Sequence, residues 1–180
     1  MKSVTYDGLF VLLNYEEVRQ SATLNVMHLM DFEHGTLYAL ILNQLVVSDS
    51  WDQIPIGREN LGYFYVTKDA IYRMPYFYEL NDDETLRVIA EINEDEEVFL
   101  DKCQIVCQEN AIIDMPDEDG WRQFVEVDGD KRRFRLYNNS SGTTFYERLV
   151  WQKNKGLVYY RSGYGAMKEH ISFGLNLEED

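Results

Sequence analysis

The chain has 180 residues, of which 45% are hydrophobic and 14% aromatic, with three prolines; this excludes a disordered or low-complexity polymer and predicts one β-rich domain over residues 1–180. Thirteen tyrosines favour strands, because flat rings fit a pleated, half-buried surface. A net charge of −15 opposes binding to nucleic acid or to anionic membranes.

The apolar run Gly8 to Leu13 ends at Asn14 and the charged pair Glu16-Glu17, too short for a signal-peptide core or a membrane span. Taken as it stands, the chain reads as cytoplasmic, and as exported if an export signal has been trimmed from it. Residues 14–31 fit either an amphipathic helix or strands; Thr, Val and the flanking alternation favour strands. The segment TLYALILNQLVVSDSW suggests a loose hairpin turning at Asn43-Gln44. A firmer hairpin joins Tyr63–Val66 to Ala70–Met74 through Thr67-Lys68-Asp69. The one helix predicted is Asn81 to Asn93, which opens on acids suited to a helix N-terminus and carries Leu86, Ile89, Ala90 and Ile92 along one side.

Cys103 and Cys107 stand on a strand-like stretch that would hold them about 13 Å apart, beyond disulfide reach, so both are expected as buried free thiols. In DMPDEDGW, Asp117, Asp119, Gly120 and Glu126 match places of a calcium loop. Met115 takes the essential first place and a strand follows, so a solvated turn is expected and no metal site. The strongest local signal is FVEVDGDKRRFRLY, read as a hairpin turning on Asp128-Gly129. Its alternation places Trp121, Val125, Phe134 and Leu136 on one face, with Arg133 and Arg135 on the other; Val127 would oppose Asp130 and Glu126 would oppose Lys131. A further hairpin turns at Lys153 to Gly156, and a final strand HISFGLNL follows a turn at Ser162-Gly163-Tyr164-Gly165. Eight to ten strands in hairpin succession predict a mainly β fold: an antiparallel meander forming a barrel or a curved half-barrel with about one short helix.

No catalytic set emerges. His28, His34 and His170 are scattered, and no carboxylate pair stands out by its environment, so no cofactor and no catalytic residue are expected. The charge is segregated: residues 79–130 hold eighteen acids against three basic residues, whereas residues 131–168 hold nine basic residues and one acid, Glu147. The aromatic and basic residues Arg133, Arg135, Tyr137, Tyr146, Arg148, Tyr159, Tyr160 and Arg161 could form a phosphate-contacting platform. Net charge and the commonness of cross-strand packing weigh against that use.

The segment GWRQFVEVDGDKRRFRLYNNSSGTTFYERLVWQKNKGLVYYRSGYGAMKEHISF, about a third of the chain, resembles the C-terminal half of uncharacterised proteins from Gram-positive anaerobes, many with lipoprotein-type export signals. The resemblance implies an exported domain, and the group it points to carries no assigned activity. Together these readings predict a non-enzymatic binding or interaction module with a protein partner, a basic one on the net charge. The alternatives are a carrier of a small apolar ligand on a concave sheet and an enzyme with no recognisable motif. The ligand-contacting candidates are Tyr65, Tyr76, Tyr78, Trp151, Tyr160 and Arg161.

Overall fold

The computed structural model describes residues 2–11, 17–44, 58–74, 81–116, 120–138, 145–164 and 169–175. These residues form a mainly antiparallel β structure of twelve strands and two helices. In chain order the elements are β1 (Lys2–Val11), β2 (Glu17–Asp31), β3 (Gly35–Gln44), β4 (Arg58–Thr67), β5 (Ala70–Arg73), α1 (Asp82–Glu94), α2 (Glu96–Asp101), β6 (Gln104–Gln108), β7 (Ile112–Pro116), β8 (Trp121–Asp128), β9 (Lys131–Asn138), β10 (Phe145–Gln152), β11 (Gly156–Tyr164) and β12 (Glu169–Gly174). Two compact units divide them, Met1–Val4 with Thr23–Val106, and Thr5–Ala22 with Cys107–Asp180.

In the first unit the strand order is β6-β5-β4-β3-β2. Leu37 opposes Tyr65 and Ala39 opposes Tyr63, so these four share a face. Helix α1 covers that face with Val88 and Ile92, one turn apart, and α2 adds Phe99. The helix begins where the sequence predicts: the Asn81 side chain accepts a hydrogen bond from the Glu84 amide at 2.8 Å. Its buried side differs from the expectation in part: Leu86 is 65% exposed and Ala90 is exposed, whereas Ile92 is buried as expected, with Val88 beside it. Two inward positions four apart fix the helix rotation, and Leu86 then falls on the far side.

The hairpin of β4 and β5 forms as expected, with Lys68-Asp69 at its tip. The Thr67 hydroxyl accepts from the amides of Asp69 and Ala70 and donates to the Ala70 carbonyl, closing the turn. The expected turn at Asn43-Gln44 is a correction: β3 continues through both residues, and Asn43 opposes Arg58 of β4. Between Leu40 and Ile41 the register slips, leaving Leu61 as an extra residue beside Gly62, whose φ is 107°. The buried Arg73 secures that bulge by donating from Nε to the Leu61 carbonyl at 3.0 Å.

The strands of the second unit lie in the order β1-β12-β11-β10-β9-β8-β7, an open ladder with β7 at one edge, so the closed-barrel alternative is not realised. The β8–β9 hairpin is present with a corrected register. Asp128 opposes Lys131 and Val125 opposes Phe134, so the two-residue loop is Gly129-Asp130. Only Gly129 takes a positive φ, 57°, which spares an aspartate that conformation. The loop moves by one residue and each partner therefore by two, so the expected faces survive although the pairs change. The turn after Gln152 is also as expected, with Asn154 at φ 66° and Gly156 at φ 84°. The turn expected at Ser162 to Gly165 is corrected, because β11 runs on through Tyr164.

Candidate functional site

Cross-strand registers in the second unit sort its side chains onto two faces. On one, Val125, Phe134, Leu149, Tyr160 and Phe173 stand in line across β8, β9, β10, β11 and β12, all buried. Trp151 shares this face, two residues beyond Leu149, and is also buried. Glu147, buried as well, stands between Leu136 and Ser162 in the next row.

The opposite face has another composition. Phe124, Arg135, Arg148 and Arg161 are directly opposed in one line across β8, β9, β10 and β11. Flanking rows carry Glu126, Arg133, Val150 and Tyr159 on one side and Arg122, Tyr137, Tyr146 and Gly163 on the other. Four of these five guanidiniums lie over a ring from an adjoining strand: Arg122 over Tyr137 at 5.9 Å, Arg135 over Phe124 at 5.5 Å, Arg148 over Tyr159 at 5.7 Å and Arg161 over Tyr146 at 5.5 Å. Such stacking holds a planar fork in place while leaving its edge able to donate hydrogen bonds. Arg135 also meets Glu126 at 3.1 Å, and Arg133 meets Asp128 at 2.7 Å. The acidic and basic segments therefore neutralise each other in part at this hairpin. The four stacked arginines are only partly buried.

Adjacent strands lie about 4.8 Å apart, so the three opposed arginines rise from backbone positions within about 10 Å of one another. Arg135 is paired with Glu126, and the ring stacks carry Arg148 and Arg161 toward opposite flanking rows. Carboxylates brought to the face would meet guanidinium edges through paired N–H···O contacts.

The other sequence candidates are distributed differently. Tyr65 belongs to the first unit, fully buried, with Phe32 at 5.7 Å and Phe99 at 6.1 Å between ring centres, both edge-on. Its hydroxyl is buried without a well-formed hydrogen bond; burial first, then the neighbouring Glu96 carboxylate, raise its pKa well above the usual tyrosine value. Tyr76 and Tyr78 lie outside the described residues. Trp151 and Tyr160 pack on the buried face of the second unit, and Arg161, the neighbour of Tyr160, projects to the arginine face. Strand parity separates Tyr160 from the platform residues with which the sequence grouped it, and it brings in Arg122 and Phe124, which that grouping missed. The signal was present, since both keep step with Glu126 along β8.

Elsewhere, His28 Nε2 lies 3.0 Å from Asp31 Oδ1, which also accepts from the Thr36 hydroxyl at 2.9 Å. The His28 hydrogen bond, then that of Thr36, hold the Asp31 pKa below its ordinary value. Both donors bond the same carboxylate oxygen, so the histidine does not sit between acid and hydroxyl as a general base would; the trio ties β2 to the start of β3. Cys103 and Cys107 are free, as expected, but half-buried, and Cys103 lies just before β6 instead of on it. Burial chiefly, then Glu91, push the Cys103 thiol up to about 12, and burial raises Cys107 as well. Among the described residues no group of three His, Cys, Asp or Glu side chains gathers as a metal site, and no helix is long and apolar enough to cross a membrane. Comparison with protein-family models, with curated proteins and with solved structures finds no match to the chain.

Proposed function

We infer that the chain is a non-enzymatic binding module that engages an acidic segment of a protein through the arginine–aromatic face of β8 to β11. The observation that carries this reading is the line Arg135, Arg148, Arg161, three like charges opposed on adjacent strands. Guanidiniums fixed over rings on one sheet face offer forked donors in set positions, which suits recognition of carboxylates. The net charge by itself favours a basic partner. Charge is screened over about 8 Å at physiological ionic strength, however, so a partner meets the local face before it senses the whole molecule.

Carboxylates suit this face better than a nucleic-acid strand. Arginine forks pair with carboxylates two bonds at a time. Bases would need free ring faces for stacking, and here the rings of Tyr137, Tyr146 and Tyr159 already carry guanidiniums. The carrier alternative draws little support from Tyr65, Trp151 and Tyr160, which are packed in interiors.

The test is calorimetric titration of the full chain with a polyglutamate peptide, a polylysine peptide and a single-stranded oligonucleotide. Polyglutamate is expected to bind, at least tenfold more weakly to the Arg148→Gln/Arg161→Gln variant. Binding of polylysine alone, or of the oligonucleotide alone, overturns the reading.

A further inference from the structure

We propose that Glu126 is an intramolecular occupant of the arginine face, holding at Arg135 the place that a partner's carboxylate takes on binding. The proposal rests on the reading of that face as a carboxylate-binding surface and names how access to it is regulated.

Strands β8 and β9 meet with Glu126 directly opposite Arg133 and Phe124 opposite Arg135. The ion pairs do not follow those oppositions. Arg135 reaches diagonally to Glu126, with Nη2 3.1 Å from Oε2, and Arg133 reaches diagonally to Asp128 at 2.7 Å. Each of these arginines thus takes the acid two residues nearer the turn than the residue it faces. Among the described residues Arg135 is the only partner of the Glu126 side chain.

The contact is built to be replaced. It is a single bond from one nitrogen to one oxygen, not the paired fork that a guanidinium can form, and Arg135 Nε is buried without a well-formed hydrogen bond. The two side chains are 40% and 42% exposed, so solvent screens their attraction and the pair is weak. The Phe124 ring, 5.5 Å from the guanidinium carbon, holds Arg135 independently of Glu126. A partner's carboxylate that offers both oxygens to the fork forms more bonds than Glu126 does. The displaced Glu126 still faces Arg133, so it exchanges one arginine for another and is not left unpaired. Displacement has a small cost, and the chain therefore binds an acidic segment more weakly than it would without the Glu126 carboxylate.

Calorimetric titration of full-length variants with polyglutamate tests this. Glu126→Gln is expected to bind about three- to fivefold more tightly than the wild type, the range that an exposed ion pair allows. Glu97→Gln removes the same charge from an exposed position on α2 and should gain about 1.5-fold at most, since solvent and salt screen a remote charge. In an Arg135→Gln background, Glu126→Gln should gain no more than Glu97→Gln does, because the competition passes through Arg135. A Glu126→Gln chain no tighter than Glu97→Gln overturns this inference and leaves the carboxylate-binding face standing, as does an equal gain with and without Arg135. If neither the wild type nor Glu126→Gln binds polyglutamate, the face itself is overturned and this inference with it.

Discussion

Single residues in the first unit show where steric and electrostatic tolerance ends. A Cβ added at Gly35 would lie 2.7 Å from the Tyr65 ring and 2.8 Å from the Val66 carbonyl oxygen. The oxygen is backbone and cannot step aside, so Gly35→Ala is expected to cost about 1–3 kcal/mol in urea unfolding; an unchanged midpoint would count against the packing described. Cys103, held up to about 12 by burial, should resist iodoacetamide at pH 8 in the native chain and react promptly in urea. Asp31 titrates the other way. Its pKa is lowered by His28 and Thr36, so the stabilisation it gives the β2–β3 connection is complete above the ordinary value of 3.8. That stabilisation is lost as pH falls through the lower native value. Carboxyl NMR should place its midpoint below 3.8; a midpoint at or above that value would remove the hydrogen-bonded trio. The sequence displayed the residues of this trio without their relation, because the pairing of β2 with β3 is what joins them.

At the scale of elements, local chemistry predicted starts and turns well and rotations less well. Asn81 followed by three acids marks a helix start, and the structure places the cap there. Asn81→Ala should therefore cost about 1 kcal/mol, and Asn81→Gly only a few tenths, in equilibrium unfolding. Equal losses from both substitutions would point to a role other than capping. The helix's buried side was misread at Leu86 and Ala90, since Leu86, Ile89, Ala90 and Ile92 make as plausible an apolar stripe as Val88 with Ile92 until the β3–β4 face selects one. The β8–β9 hairpin shows the same division. Alternation decided the faces, but the choice between Asp128-Gly129 and Gly129-Asp130 as the loop depended on which residue takes positive φ. Gly129→Ala should lower stability by about 1–2 kcal/mol, because an alanine in the left-handed region brings its Cβ against the backbone. The turn expected at Asn43-Gln44 failed because β3 had a partner, Arg58 to Thr67, farther along the chain than a local hairpin needs.

For the molecule as a whole, composition and alternation by themselves determined a mainly antiparallel β fold, an acidic total charge and the sharp change of sign near residue 130. Periodicity of two and turn residues are local properties, legible without knowing what any strand pairs with. The candidate face was legible only in part: Arg133, Arg135, Arg148 and Arg161 were visible as a basic group, but Tyr160 was counted with them and Arg122 and Phe124 were not. The tertiary structure alone decided that Arg135, Arg148 and Arg161 stand in one line, since this depends on the registers of β9 with β10 and of β10 with β11. Register is set by long-range pairing and by the bulge beside Val150 and Trp151, which no local pattern announces. A charge reversal at the centre of that line, Arg148→Glu, should abolish polyglutamate binding in calorimetric titration and lower thermal stability modestly, because it removes the guanidinium stacked on Tyr159; undiminished binding would remove the line from the candidate face. Charges far apart in sequence became neighbours through pairing, and pairing is the term that composition and period do not contain.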